Sequence, residues 1–412
     1  MEETKKEKEK EKEEEKEKEK EEEKEKEKEE DTKILGEGAY GCVVQPSLEC
    51  SNAYDTKGKV SKIMQKRHAD IELDEFTELT NISGIDRYII TKPHMCSPKK
   101  NKHFRKTLKK CNNEKFKDNH VELRLLVMEN GGVNVDDILN HLIFEMTSLE
   151  VHVFINRWKV LLEAICFFQE HELIHNDLKI QNIVYNIKSG QIRLIDFGKT
   201  KTFSKFIELS KNNINNEGLS WFNYPPESGC HNKEDFDEKE KCTVFRNTIP
   251  YDIFVKNSVS TFDMYSMGLL LKETIERLQD YRQEMHKTWN IPKSFLKDCH
   301  KLFSKMSEEN IRIRKNNPRD YLEKFKVLLK KHKIDIANDQ KPNPSVNVQK
   351  HASNLSYIPL QISDSLVQCN STKEYNPFTK KCVARCKKGK IRVIKRPTKK
   401  RRRGIFNCKS RK

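Results

Sequence analysis

Two apolar patterns divide the chain into a short β-rich part and a longer helical part. Runs typical of strands, separated by glycine-rich or polar turns, lie at residues 33–35, 43–44, 59–64 and 123–128. Apolar residues recur at helical spacing over residues 69–83, 136–172, 262–284 and 295–331. The pattern therefore predicts an α+β fold with two lobes: a small antiparallel β-rich N-lobe with one key helix, and a larger α-helical C-lobe.

Three polar stretches interrupt this pattern. They are the Lys-rich residues 97–119 and the residues 201–219 and 228–259. Each is most simply a solvated surface loop. The last one contains the acidic run 234–238, for which contact with a basic substrate is the alternative.

Composition favours a soluble, enzyme-sized protein. The 412 residues are 35% apolar, which allows one large bilobal core or two ordinary domains with tails. No run of about 18 apolar residues occurs, and the first residues are too charged for a secretory signal. We expect an intracellular protein without a membrane partner. The 12 cysteines follow no framework of spacings, so most are expected to be free thiols in a reducing compartment.

The two ends of the chain carry most of the unbalanced charge, within a total of +17. Residues 1–30 contain 17 Glu and 11 Lys, whereas residues 387–412 contain 14 Lys or Arg and no acid. The first tract lacks an apolar stripe, so we predict a disordered or marginally helical tail without chemistry. For the basic end, nuclear import, a backbone contact with nucleic acid, virion packaging and plain solvation remain alternatives.

The strongest chemical signal is a polar cluster that begins at His175. Asp177, Lys179 and Asn182 fall within six residues, and Asp196 follows Asn182 by fourteen, directly before Phe-Gly. Phosphoryl transfer requires a carboxylate that orients a hydroxyl, oxygen ligands for Mg²⁺ and a cation near the γ-phosphate. Asp177, then Asn182 with Asp196, then Lys179 meet these requirements in turn.

Lys62 lies on the same strand face as Val60 and Met64, so its ammonium group needs an anionic partner. A nucleotide phosphate is one candidate and a helix carboxylate is the other. Glu75 lies in a helical stripe with apolar residues at positions 71, 79 and 82, so we predict that Glu75 pairs with Lys62. The alternative is that Glu75 is solvated and that Glu72 or Glu78 forms the pair.

A glycine-rich stretch, Gly36 to Val43, lies between two predicted strands. Glycines there would let backbone N–H groups approach phosphates, although a plain hairpin would also explain them. These motifs occur in the order that is typical of one family: residues 33–330 resemble the eukaryotic-type protein kinase fold. The resemblance implies ATP and Mg²⁺, with Asp177 and Lys179 catalytic and with Asn182 and Asp196 as metal ligands. The implied nucleotide-binding residues are Ile34, Leu35, Gly36, Glu37, Gly38, Ala39, Tyr40, Gly41, Cys42, Val43, Lys62, Glu75, Met128, Glu129 and Asn130.

The same resemblance assigns structural residues in the C-lobe. The segment Tyr224-Pro225-Pro226-Glu227 resembles the end of a kinase activation segment, and Asp263 resembles the residue that braces the catalytic loop. It implies Arg319 as the buried partner of Glu227. The position of Lys179 and the presence of Ser220 favour serine/threonine specificity.

Asn176 departs from the family pattern, because an arginine usually precedes the catalytic aspartate. The cation that reads an activation-loop phosphate is therefore absent from this position. We hypothesise that activity does not depend on such a phosphate.

We expect a kinase domain at residues 31–332, with an N-lobe at 31–129 and a C-lobe at 133–332. A linker at 333–365, a two-cysteine segment at 366–388 and a basic tail at 389–412 complete the expected organisation. Residues 374–386 resemble the adaptor segment of kinases of invertebrate iridescent viruses. This implies a large DNA virus as the source, a viral or host protein partner, and a location in host cytoplasm, nucleus or virion.

Two further questions concern the C-terminal cysteines and the activity. A zinc site is an alternative for the four thiols Cys369, Cys382, Cys386 and Cys408, although the spacing of the middle pair is wider than usual. An inert pseudokinase scaffold, a small-molecule kinase and a basic nucleic-acid-binding protein are the alternatives to a protein kinase.

Overall fold

The structure is a computed structural model. It describes residues 32–37, 41–111, 116, 122–215, 223–285, 289–336, 348–349 and 352, and the backbone of four strands within residues 373–410. The chain divides into two units, residues 1–358 and 359–412. The predicted tail 1–30, most of the predicted linker and all side chains beyond residue 352, including the four C-terminal thiols, lie outside the described residues.

The N-terminal part of the first unit is an antiparallel sheet with two helices. Its strands are β1 Lys33–Glu37, β2 Gly41–Gln45, β3 Lys59–Gln65, β4 His94–Cys96 and β5 Leu123–Glu129. Their order in the sheet is β1-β2-β3-β5-β4. Helix α1, Lys66–Thr80, follows β3 directly, and α2, Lys102–Lys110, precedes β5.

Both faces of this sheet are covered. On one face Met64 and Leu126 pack with Ala69 of α1. On the other face Ile63 and Phe104, a residue of α2, belong to one apolar cluster. Disulfides Cys42–Cys111 and Cys50–Cys96 cross-link this outer layer to the strands. The prediction that residues 97–119 form a solvated loop is therefore wrong for α2, which is too short for its apolar face to stand out among so many lysines.

The larger C-terminal part is mainly helical. Its helices are α3 Val135–Asn140, α4 Ser148–Glu170, α5 Phe203–Lys211, α6 Lys233–Glu238, α7 Thr243–Arg246, α8 Tyr251–Met285, α9 Lys293–Met306 and α10 Pro318–Lys331. Its strands are β6 Val133–Asn134, β7 Leu173–Ile174, β8 Ile183–Asn186, β9 Gln191–Leu194 and β10 Lys201–Thr202, paired as β6-β8-β9 and β7-β10. Helix α4 begins with a capping box between Thr147 and Glu150, and its buried residues lie at the centre of the core. The predicted α+β fold class is confirmed.

Two stretches predicted as polar loops contain ordered structure. Residues 203–211 form α5, and residues 233–238 form α6, in which Phe236 packs on Phe254. The acidic run is thus helical, and two of its carboxylates pair with lysines four residues away. A third disulfide joins Cys230, before α6, to Cys242, after it.

Cysteine pairing also corrects a prediction. Of the eight cysteines whose side chains are described, six form disulfides and only Cys166 and Cys299, both buried, are free. Disulfides are typical of oxidising compartments, so the expectation of a reducing one loses its basis.

Among the described residues, no helix has both the length and the apolar character needed to cross a membrane. The second unit contains two antiparallel strand pairs. They are β11 Lys373–Asn376 with β12 Lys381–Ala384, and β13 Lys390–Lys395 with β14 Ile405–Ser410.

Candidate active site

The loop between β7 and β8 carries the central polar cluster. Its backbone is strained at Asn176, whose φ of 64° lies in the left-handed region that asparagine tolerates better than most residues. Asp263 of α8 stabilises this conformation, because its buried carboxylate accepts hydrogen bonds from the backbone N–H groups of His175 (2.6 Å) and Asn176 (3.1 Å). The predicted bracing contact of Asp263 is present.

Asp177 is buried among donor side chains, of which Lys179 and Asn182 lie on this loop. Its Oδ2 lies 2.8 Å from Lys179 Nζ and 3.0 Å from Asn182 Nδ2, and its Oδ1 lies 3.4 Å from Lys199 Nζ. Burial alone would raise the pKa of Asp177, but the ammonium groups of Lys179 and Lys199 outweigh it and lower the pKa below the usual range. Asp177 is therefore ionised at neutral pH.

Asn182 lies beside Asp177, and its backbone carbonyl accepts a hydrogen bond at 3.0 Å from the N–H of Ile195, which directly precedes Asp196. Asn182 Nδ2 donates to both the carboxylate and the backbone carbonyl of Asp177, which leaves Oδ1 as the side-chain atom able to coordinate a cation. Asp196 is exposed and has a φ of 65°, a strained conformation for a residue other than glycine. Amide and carboxylate oxygens are the ligands that Mg²⁺ prefers, so this pair fits that ion.

Lys62 forms its ion pair with Glu72. Its Nζ lies 2.8 Å from Oε1 and 2.6 Å from Oε2 of that carboxylate. The predicted pairing with Glu75 is wrong, and the weighed alternative, Glu72, is found. Burial would lower the pKa of Lys62, but the charges of Glu72 and Asp196 raise it overall. The lysine is thus held charged between α1 and Asp196.

The error arises from the face that α1 buries. The helix buries Ala69, Glu72, Phe76 and Leu79, whereas Ile71 is 51% exposed. Phe76 contacts the ring of Phe197, directly after Asp196, with ring centroids 5.5 Å apart. An aromatic ring buries more apolar area than the Ile71 side chain, so it determines the rotation of the helix.

Glu75 faces the region of Asp196, and within the part of the chain that the structure describes it forms no ion pair. Among the described residues, none hydrogen-bonds to its buried Oε2. Burial, reinforced by the nearby charge of Glu72, raises the pKa of Glu75 to about 7. This carboxyl group therefore titrates near neutral pH.

The glycine-rich stretch that is predicted to cover the nucleotide phosphates is described only in part, because residues 38–40 lie outside the described residues. Gly41 begins β2, where a Cβ atom would lie 3.0 Å from the Met64 side chain and 3.1 Å from Lys62 Cε. A side chain at this position would crowd the Ile63 carbonyl and the β3 lysine. Strand β2 places Val43 opposite Lys62, and β1 places Gly36 opposite Val43 on the other side of β2.

The implied nucleotide-binding residues 128–130 span the end of β5 and the predicted hinge at residues 129–130. Met128 is partly buried against the apolar cluster of α1, and Glu129 pairs with Arg193 at 2.9 Å. The side chain of Asn130 accepts a hydrogen bond from the backbone N–H of Gly132, whose φ of 104° requires glycine.

Sequence reasoning missed Lys199, whose only signal is its place directly after Gly198. Its ammonium group lies 3.0 Å from the hydroxyl of Tyr224, and that hydroxyl donates to the backbone carbonyl of Asn176 at 3.1 Å. Lys199 and Tyr224 thus tie the two ends of the activation segment to the loop of Asp177. Ser220 lies outside the described residues.

Glu227 pairs with Arg314, five residues before the predicted Arg319. Arg314 NH1 lies 2.6 Å from Oε1 and NH2 lies 3.1 Å from Oε2, and both side chains are fully buried. Arg319 instead pairs with Glu170 on the surface. The prediction of Arg319 is wrong because Arg319 belongs to the exposed first turn of α10, whereas Arg314 lies in the loop before it.

Residues 29–227 match the model of the protein kinase domain. The matched range includes the sheet, α1, the loop of Asp177 and the segment up to Glu227. The match supports a protein kinase, and the fold is that of a protein kinase domain.

Proposed function

We propose that this protein kinase domain is an active serine/threonine kinase that transfers the γ-phosphoryl group of ATP to protein hydroxyls. The observation that carries the proposal is the buried Asp177 carboxylate, which lies between the ammonium groups of Lys179 and Lys199 on a loop braced by Asp263. Phosphoryl transfer depends chiefly on positioning and charge neutralisation. This cluster is suited to both.

Asp177 would orient the acceptor hydroxyl and receive its proton as the phosphoryl group is transferred. The carboxylate is ionised at neutral pH and is therefore available as an acceptor. Lys179 would then turn its ammonium group toward the transferred phosphoryl group, where negative charge develops.

Asn182 and Asp196 would hold Mg²⁺, which neutralises charge on the nucleotide phosphates when bound. Lys62, held by Glu72, would contact the phosphates from the other side. The backbone at Gly36 and Gly41 would cover them without side-chain obstruction. The hinge backbone at residues 129–130 would hold the adenine ring.

The preference for serine and threonine rests on the resemblance alone. Lys179, two residues after Asp177, is typical of serine/threonine kinases. Ser220, seven residues before Glu227, stands where these kinases usually carry threonine.

The activation segment supports the hypothesis that no activating phosphate is needed. Asn176 supplies no cation for such a phosphate. Instead, Lys199 and Tyr224 connect the segment to the catalytic loop through hydrogen bonds that require no modification. Loss of activity after phosphatase treatment of the purified protein would contradict the hypothesis.

For the second unit, we propose that residues 366–388 bind a viral or host protein and that residues 389–412 bind polyanions through charge. Deletion of residues 387–412 should remove salt-sensitive DNA binding and leave phosphoryl transfer intact. Salt-sensitive binding that survives the deletion would contradict this role.

The kinase proposal is tested with Asp177→Asn and a matched control, Asp86→Asn, at an exposed aspartate of the N-lobe. Labelled ATP and Mg²⁺ are supplied with casein, myelin basic protein or histone, and phosphoamino acids are analysed. We expect phosphoserine or phosphothreonine with the wild type and the control, and about 10³-fold less with Asp177→Asn. ATP binding without transfer in the wild type would favour the pseudokinase alternative, and phosphotyrosine would contradict the specificity.

A further inference from the structure

Helix α2, on the outer face of the N-terminal sheet, carries a cationic face. Residues 99–110 contain seven Lys or Arg and no acid. The exposed side chains of the helix are Lys102, Arg105, Lys106 and Lys109. Their spacing of three, four and seven residues places them on one face. We call these four residues the cationic face.

The helix tolerates this charge because its other side is fixed to the sheet. Phe104 and Thr107 are buried, and Cys111 is disulfide-bonded to Cys42 of β2. Like charges at this spacing destabilise a helix. Local helix stability therefore does not explain the cationic face, whereas an anionic partner would.

The described part of the first unit begins beside this helix. Thr32, which is buried, accepts a hydrogen bond at Oγ1 from Thr107 at 3.1 Å and also contacts the ring of His103. Its backbone carbonyl accepts a hydrogen bond from Lys110 Nζ at 3.0 Å. The end of the preceding segment is thus attached to the flank of α2.

That segment has its acid excess next to Thr32. Residues 21–31 contain eight Glu or Asp and three Lys, a net charge of −5. Residues 1–20 contain ten Glu and eight Lys, a net charge of −2. The sign, size and place of the excess complement the cationic face.

We propose that residues 21–31 bind the cationic face of α2 within the same chain. Eleven residues can reach about 36 Å at 3.3 Å each, whereas the nine residues of α2 span about 14 Å. Attachment at Thr32 keeps the acids at an effective concentration in the millimolar range or above. The segment therefore occupies a surface that an external polyanion would otherwise use.

Zero-length carbodiimide cross-linking of the full chain, mapped by mass spectrometry, tests the proposal. We expect links from the acids of residues 21–31 to the amines of Lys102, Lys106 and Lys109. Their yield should fall about fivefold between about 20 mM and about 500 mM NaCl, because the Debye length falls from about 20 Å to about 4 Å.

Arg105→Glu changes the charge of the face and leaves its three reactive amines in place. We expect it to lower the yield at least about two- to threefold, because it replaces an exposed attraction with a repulsion, whereas the exposed Arg312→Glu in the C-lobe should leave it unchanged. Absence of these links, links mainly to residues 387–412, or links mainly between chains in a mixed ¹⁴N/¹⁵N sample would overturn the proposal. An unchanged yield at high salt would do the same.

Discussion

The two carboxylates of α1 that compete for Lys62 provide a matched pair of substitutions. Glu72→Gln removes the acid that pairs with Lys62 at 2.6 Å, and Glu75→Gln removes an acid one turn away that has no such pair. Each variant removes one carboxyl group and keeps the size of the side chain. If the structure assigns the pair correctly, the two variants behave in opposite ways.

For Glu72→Gln, the expected cost follows from the burial of the pair. The side chains of Lys62 and Glu72 are only 17% and 11% exposed. Removing one partner of a fully buried pair costs about 3–5 kcal/mol, and the remaining access to water reduces this to roughly 1–3 kcal/mol. Misplacement of Lys62 by about 1 Å should also lower kcat/KM by about 100-fold.

For Glu75→Gln, the sign depends on pH. The folded-state pKa of Glu75 is raised from 4.5 to about 7. Between these values the unfolded chain has released the proton that the folded chain still holds, so wild-type stability falls as pH rises toward 7. The full shift corresponds to about 3 kcal/mol, and solvent screening of this half-buried group reduces it to roughly 1–2 kcal/mol. Glu75→Gln should therefore be more stable than the wild type at pH 8 and nearly equal to it at pH 4.5.

Urea denaturation in EDTA at pH 4.5, 6 and 8 measures these stabilities, and steady-state phosphoryl transfer measures kcat/KM. We expect Glu72→Gln to be the less stable and less active variant, and Glu75→Gln to retain activity within about threefold. The assignment is refuted if Glu75→Gln has the larger loss of kcat/KM. The pKa argument is refuted if its stability gain does not grow with pH.

Three further predictions rest on other contacts of the structure. Arg314→Met should destabilise the protein by about 3–5 kcal/mol in urea denaturation, because it leaves buried Glu227 unpaired. Arg319→Met should change the free energy of unfolding by less than about 1 kcal/mol. Equal losses in the two variants would contradict the pairing of Arg314 with Glu227. Dithiothreitol should lower the melting temperature, because the disulfides Cys42–Cys111 and Cys50–Cys96 join residues 69 and 46 positions apart. Each of these disulfides should stabilise the fold by roughly 3–5 kcal/mol. An unchanged melting temperature after complete reduction would contradict a structural role of the disulfides. Lys199→Met should lower kcat at least about tenfold with little change in KM for ATP, whereas Lys205→Met, at an exposed lysine, should leave kcat unchanged. An unchanged kcat in Lys199→Met would exclude Lys199 from positioning Asp177.

The sequence predicted best those features that depend on neighbouring residues. The alternation at residues 59–64 predicted β3. The spacing of Asp177, Lys179 and Asn182 predicted a cluster in which the structure places Lys179 and Asn182 within about 3 Å of the Asp177 carboxylate. Such groups lie on one short loop, so their proximity needs little tertiary information. The contact of Asp263 with the same loop was predicted only from the resemblance, because 88 residues separate it from His175.

The errors at α1 and α2 share a physical cause, since both depended on which face of the helix the rest of the protein covers. Periodicity allows α1 to bury either Ile71 or Phe76, and the ring of Phe197, 121 residues beyond Phe76, selects the second. The same holds for α2, where Phe104 lies among lysines. One side of α2 is buried only because the sheet offers an outer apolar face against which Phe104 packs. Partner choice for Lys62 follows from that rotation, since a helix turns by about 100° per residue and three positions place Glu72 and Glu75 about 60° apart around the axis. A charged residue on such a helix can therefore be assigned a partner only once it is known which face of the helix its largest aromatic residue buries.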